Sequence, residues 1–139
     1  MFKKILVPLD GSRLAEKVLP QVEKISRCCQ PEVHLFQVVV TYEIEPEKEK
    51  AERTRLLRDA RLYLEKVAAR MGKKKVKSHA VVAYGKDAVQ ICEYARKNKF
   101  DLIAMATHGR SGFSRWALGS VADKVLSCSR VPVLLVRVS

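Results

Sequence analysis

Apolar positions along the chain fall into two patterns. In KILVP, EVHLFQVVV, DLIAMA and VPVLLVRV they run almost without interruption between polar or turn residues, as strands buried on both faces require. Between these runs they recur at three- and four-residue steps, the period of a helix with one buried face. Leu14, Val18, Leu19, Val22 and Ile25 mark the first such stretch, entered through Asp10-Gly11-Ser12 with Ser12 as its expected N-cap. Pro20 lies inside it and removes one backbone bond, which predicts a bend or an irregular start. Leu57, Ala60, Leu64, Val67 and Met71 mark a second, longer helix reaching Gly72, whereas 41–53 show little apolar periodicity and read as a loop or a frayed helix end. VKSHAVVAYG reads as a strand closed by Gly85, KDAVQICEYARKNK as a short helix with Ala88, Ile91, Cys92 and Ala95 inward, and VADKVL as the last helix.

Strand and helix alternate to five strands, the pattern of a doubly wound α/β domain with right-handed crossovers. At 139 residues, 1–139 form one domain, long enough to bury about two thirds of its unfolded surface without a disulfide or metal staple. No apolar run of about eighteen residues occurs, and MFKKILVPLD lacks a signal-peptide core, which places the protein in the cytoplasm as an expectation. Cys28 and Cys29 are adjacent, Cys92 and Cys128 isolated, and His34, His79 and His108 scattered. Reduced thiols and no side-chain metal site are therefore expected.

The net charge of +12 invites a nucleic-acid reading. By segment, however, residues 1–40 carry +2, 41–77 carry +5, 78–106 carry +1 and 107–139 carry +4, so the charge is spread along the chain. Arg70 and Lys73, Lys74 and Lys75 sit where a helix C-terminus favours cations, and the glutamates of 43–52 fit its other end. With one tryptophan and few other aromatics, no base-stacking platform is recognisable, and a solvated helix is favoured over a nucleic-acid surface.

The stretch MATHGRSGFSRWALGS, 105–120, joins the DLIAMA strand to the last helix and carries the candidate chemistry. Its glycines and hydroxyls suit backbone N–H groups presented to an anion, and a helix start adds unpaired donors with a favourable dipole. It is neither a Walker A loop nor a G-x-G-x-x-G dinucleotide turn. The plain alternative is that its glycines only allow a long connection to turn. Arg110 and Arg115 can pair with a phosphate or stay solvated, and His108 contributes through its backbone.

The spacing Ala106-x2-Gly109-x9-Gly119-Ser120, with ATHGRSG and LGSVADKVL around it, resembles the nucleotide-binding signature G-x2-G-x9-G-S/T of the universal stress protein family. The signature's first glycine is Ala106 here, a departure that bears on how closely a ligand approaches. The resemblance covers the whole chain and implies a five-stranded parallel sheet ordered 3-2-1-4-5. The ends of strands 1 and 4 then adjoin where the winding reverses, the place where open α/β sheets bind ligands.

By the same resemblance the ligand is ATP, with Mg²⁺ held mainly by the phosphates. Asp10 would accept from ribose hydroxyls or an adenine amine; its plain role is an Asx turn. Pro8, Leu9 and Val38 match the family's adenine pocket, beside Met105 and Ala106. The phosphate end would comprise His108, Gly109, Arg110, Gly119, Ser120 and Val121, with Ser120 both capping the helix and touching phosphate.

No G-x-S-x-G elbow or S-G-G-x-D-S loop occurs, no catalytic residue can be named, and binding is expected over turnover. The implied role is a nucleotide-dependent signalling module in a stress response, acting on an unidentified partner. Alternatives are a non-nucleotide-binding dimeric interaction module, a weak ATPase or a nucleic-acid binder. The last strand alternates Val131, Val133 and Leu135 with Leu134, Val136 and Val138, and its free edge predicts a homodimer.

Overall fold

A computed structural model describes residues 1–40, 46–108 and 118–138. The chain runs β1 (Lys4–Pro8), a 3₁₀ turn (Ala15–Val18), α1 (Leu19–Cys29), β2 (Glu32–Val40), α2 (Pro46–Lys73), β3 (Ser78–Gly85), α3 (Asp87–Lys97), β4 (Leu102–His108), α4 (Ser120–Cys128) and β5 (Val133–Val138). All strand pairs are parallel and the order is β3-β2-β1-β4-β5, as expected. Every strand therefore begins at one end of the sheet and finishes at the other.

Side-chain alternation divides the core between the two sheet faces. Ile5, Val7, Val33, Leu35 and Ala104 pack beneath α1 and α2 with Val22, Leu64 and Val67. Leu6, Phe36, Ile103 and Met105 pack beneath α3 and α4 with Ile91, Ala95 and Val125. On β5, Leu134 and Val136 face the first cluster and Val133 and Leu135 flank the second, with Val131 just before the strand.

Pro20 sits in the first turn of α1, where its missing N–H costs nothing, and the irregularity it predicted is the preceding 3₁₀ turn. Ser12 Oγ accepts from the Ala15 N–H at 3.1 Å, but the N-cap of that turn is Leu14 and that of α1 is Val18, which corrects the role expected of Ser12. Of the two readings of 41–53, loop or helix end, 46–53 take the second and belong to α2. At the end of that stretch charged pairs add local support, Arg55 bonding Glu52 and lying 3.4 Å from Asp59 on the same helix face. Residues 41–45 lie outside the described residues.

A second correction concerns the thiols. α3 and α4 pack side by side on one sheet face, and Cys92 and Cys128 form a disulfide with Cα atoms 6.2 Å apart. Separation along the chain hid this pairing. Cys28 and Cys29 are free.

Helix α2 ends in a closed turn: the Val76 N–H donates to the Met71 carbonyl and the Lys75 N–H to the Gly72 carbonyl, both at 3.0 Å, with Lys75 in the left-handed region (φ 64°). α3 closes in the same way, Phe100 donating to Ala95 at 3.0 Å and Lys99 to Arg96 at 3.3 Å, with Lys99 at φ 55°. Buried Val76 and Phe100 supply the apolar contact of each closure. Glycine takes that left-handed position freely, whereas a side chain there costs about 1 kcal/mol.

Candidate functional site

The carboxyl ends of β1 and β4 adjoin at the centre of the sheet, with helices wound outward on either side. Gly11, at φ 89°, turns the chain sharply after β1 and leaves Asp10 at the rim. Asp10 Oδ1 accepts from the Ser12 N–H at 2.9 Å, so the Asx turn forms; this bond occupies one carboxylate oxygen. Asp10 itself is solvent-exposed. It thus holds its turn and still presents charge to the crevice.

Across from it, β4 runs Met105-Ala106-Thr107-His108. Met105 is buried toward α3 and α4, and Ala106 packs against the opposite core. Thr107 is 3% exposed, and its Oγ1 accepts from the Gly119 N–H at 2.9 Å. This bond spans the connection from β4 to α4 and fixes where the helix begins. Gly119, the N-cap, has φ −61° and ψ 153°, so its need for glycine is not a positive φ. A Cβ there would lie 3.2 Å from Thr107 Oγ1, tighter than ordinary packing.

No side chain caps α4, and Ser120 is its first residue rather than its cap, which corrects the expected role of the hydroxyl. Because the cap is a glycine, the first-turn N–H groups of α4 are not consumed by a side-chain acceptor. α3 likewise begins without a cap from Lys86, although Asp87 Oδ1 accepts from the Ala88 N–H at 2.7 Å. Two helix N-termini thus open toward one crevice.

The crevice is a cavity of about 510 Å³, within the range of small-ligand sites. Its walls include Pro8, Leu9, Val38, Met105 and Ala106, and its rim toward α4 His108, Gly119, Ser120 and Val121, with Asp10 beside them. The fold brings together every described residue expected at the site. Gly109 and Arg110, and also Gly112 and Arg115, lie outside the described residues.

The sequence reading missed Phe36, Ile91 and Asp87, which close the side toward β2 and α3. It also missed Thr107, for which the signal was a hydroxyl inside the signature spacing at the end of an apolar run. Among the described residues no group of three or more His, Cys, Asp or Glu is arranged to hold a metal ion.

One contact ties the site to the long helix. Glu16, on the 3₁₀ turn following Asp10, accepts from Tyr63 Oη at 2.7 Å and from Arg70, both on α2. Burial raises the Glu16 pKa, but the hydrogen bonds from Arg70 and Tyr63 outweigh it and hold the carboxyl below its ordinary value. Tyr63 is pushed far above the usual phenol range, by burial first and then by its bond to Glu16.

Residues 1–137 match the model of the universal stress protein family. Universal stress protein MJ0531 of Methanocaldococcus jannaschii is 32% identical over 99% of this chain and 83% of its own length. Universal stress protein YxiE of Bacillus subtilis is 30% identical over 99% of this chain and all of its own. The solved structure of MJ0577 from M. jannaschii superposes with a TM-score of 0.86 at 30% identity, covering all of this chain and 98% of that one. A shared sheet order, a glycine-capped α4 at the winding reversal and this full-length match have one meaning: the chain belongs to the universal stress protein family.

Proposed function

We propose that the protein binds ATP in the cavity between the ends of β1 and β4 and acts as a nucleotide-dependent signalling module. The observation that carries this reading is the polarity of the cavity. Apolar walls at Leu9, Val38 and Met105 suit a purine, Asp10 lies where ribose hydroxyls need an acceptor, and the open start of α4 suits phosphates. Solved family structures described as complexes with cAMP (20% identical) and dAMP (18% identical) share this fold. Phosphates, with Asp10 nearby, are the natural holders of Mg²⁺, which prefers to keep waters and bridge phosphate oxygens. The place of β5 as the outermost strand of the sheet supports a homodimer as the form in which occupancy is read.

The test is mass spectrometry of small molecules released on denaturation, then calorimetric ATP titration of the stripped protein. Asp10→Asn retains a side-chain carbonyl for the turn to Ser12 but removes the charge, so weakened ATP binding by this variant supports the pocket role. If wild type neither carries nor binds ATP at ~1 mM, the upper end of ordinary ligand constants, the binding reading is lost. Ala106→Gly then decides the reason: binding gained by that variant assigns the loss to the methyl group, and the chain becomes a dimerising interaction module.

A further inference from the structure

The opposite end of the sheet carries a feature that ATP binding does not use. Charges that are spread along the sequence are gathered there, because every parallel strand starts at that end and every helix but α4 finishes there with a cation in or just after its last turn. Arg27 is in the last turn of α1. Lys73, Lys74, Lys75 and Lys77 line the exit from α2. Lys3 and Lys4 lead into β1, Lys97 and Lys99 lead toward β4, and Arg130 precedes β5.

The carboxylates at this end are already engaged. Glu23 pairs with Lys74 at 3.2 Å and Glu32 with His34 at 3.2 Å. Asp101 accepts from the Lys3 and Lys4 backbone N–H groups at 2.8 and 3.1 Å. Arg27, Lys75 and Lys77 are exposed and have no ion pair among the described residues. They border a groove of about 740 Å³ between the end of α1 and the α2–β3 turn. Ser26 lines the same groove, although its hydroxyl oxygen is turned away from solvent and has no hydrogen-bond partner among the described residues.

Helix dipoles favour cations at these ends, but the Met71, Gly72, Ala95 and Arg96 carbonyls accept backbone N–H groups in the closed turns and do not rely on lysine side chains. Both turns also hold a lysine, Lys75 and Lys99, in the left-handed position where glycine is favoured. Five strands spaced about 4.8 Å apart make a row roughly 20 Å long.

We propose that this basic end of the sheet binds the phosphodiester backbone of a nucleic acid, independently of the nucleotide cavity and without reading sequence. A row of that length matches about six nucleotide steps at 3.4 Å each. Phosphodiesters suit it because they are a linear array of single charges that lysines and arginines meet singly, with no stacking platform required.

The experiment is fluorescence anisotropy of the intact protein with a ~20-base-pair DNA duplex, a single-stranded RNA of matched length and polyglutamate, across ~50 to 200 mM salt. With about four phosphates contacted, affinity for duplex should fall about 10²-fold over that range. The variant Lys75→Gly/Lys99→Gly should bind at least ~10-fold more weakly while its Tm holds or rises, because glycine relieves both left-handed positions. Arg27→Gln/Lys77→Gln, at exposed and unpaired side chains, should weaken binding similarly, and Asp10→Asn should leave it unchanged. The DNA and RNA arms identify which nucleic acid is preferred. Salt-independent binding, unchanged affinity in both double variants, or polyglutamate binding as tightly as nucleic acid overturns the proposal, the last in favour of an acidic protein partner.

Discussion

The two ends of the sheet treat helix termini in opposite ways. Where β1 and β4 finish, α4 starts on a bare glycine cap, and the Lys86 side chain does not cap α3. Where the strands begin, α2 and α3 close their last carbonyls with backbone bonds and place lysines at the turns. One end offers helix starts without a side-chain cap from their N-cap residues around an apolar cavity, and the other offers side-chain charge beside backbone-closed turns. On the two proposed readings, a compact anion would be met by fixed N–H groups in a recess and an extended one by side-chain cations along a rim.

The comparison breaks most severely at Thr107. Thr107→Val keeps the shape but strips the Gly119 N–H of its acceptor, and should cost about 2 kcal/mol of stability. Denaturant unfolding measures this, and calorimetry should show weaker ATP binding with the basic end unaffected. An unchanged unfolding midpoint means the bond does not anchor α4.

Asp10→Ala removes both the turn acceptor and the charge and should weaken ATP by about tenfold, ~1.4 kcal/mol. Asp10→Asn should lose less. Equal losses in the two variants would assign the whole effect to charge.

A smaller effect comes from the contact between the 3₁₀ turn and α2. Because the folded-state pKa of Glu16 is lowered, its stabilisation is present above the ordinary value of 4.5 and is lost as pH falls through the folded value. Arg70 is largely exposed, so screening limits the contribution to less than about 1 kcal/mol. Thermal melts from neutral pH to below 4.5 should fall more steeply for wild type than for Glu16→Gln. Parallel curves would remove Glu16 from the acid response.

The smallest effect has the opposite sign. Lys75→Gly alone should stabilise the fold by about 0.5 kcal/mol, the relief of a left-handed side chain less the extra freedom of glycine when unfolded. A lower Tm would show that Lys75 supports its turn through its side chain.

Much of this was legible in the chain itself, because periodicity is a local property. The runs of β1, β2 and β4 and the buried stripe from Ala60 to Met71 each follow from neighbours a few residues away. The spacing from Ala106 to Ser120 resembled a known signature, and that brought Asp10 to the same crevice in advance. For 46–53 the sequence left loop and helix end both open, because that stretch carries no apolar period.

What the sequence determined by itself, then, is which segments are strands and helices, their winding pattern and the residues likeliest to meet at its reversal. Only the tertiary structure decided that Thr107 bonds Gly119, that Cys92 meets Cys128, that Glu16 ties the 3₁₀ turn to α2, and that scattered lysines share one end of the sheet. The reason is physical. Local patterns are written in consecutive residues, whereas these contacts join positions that parallel strands and side-by-side helices bring together only after the chain has crossed the sheet.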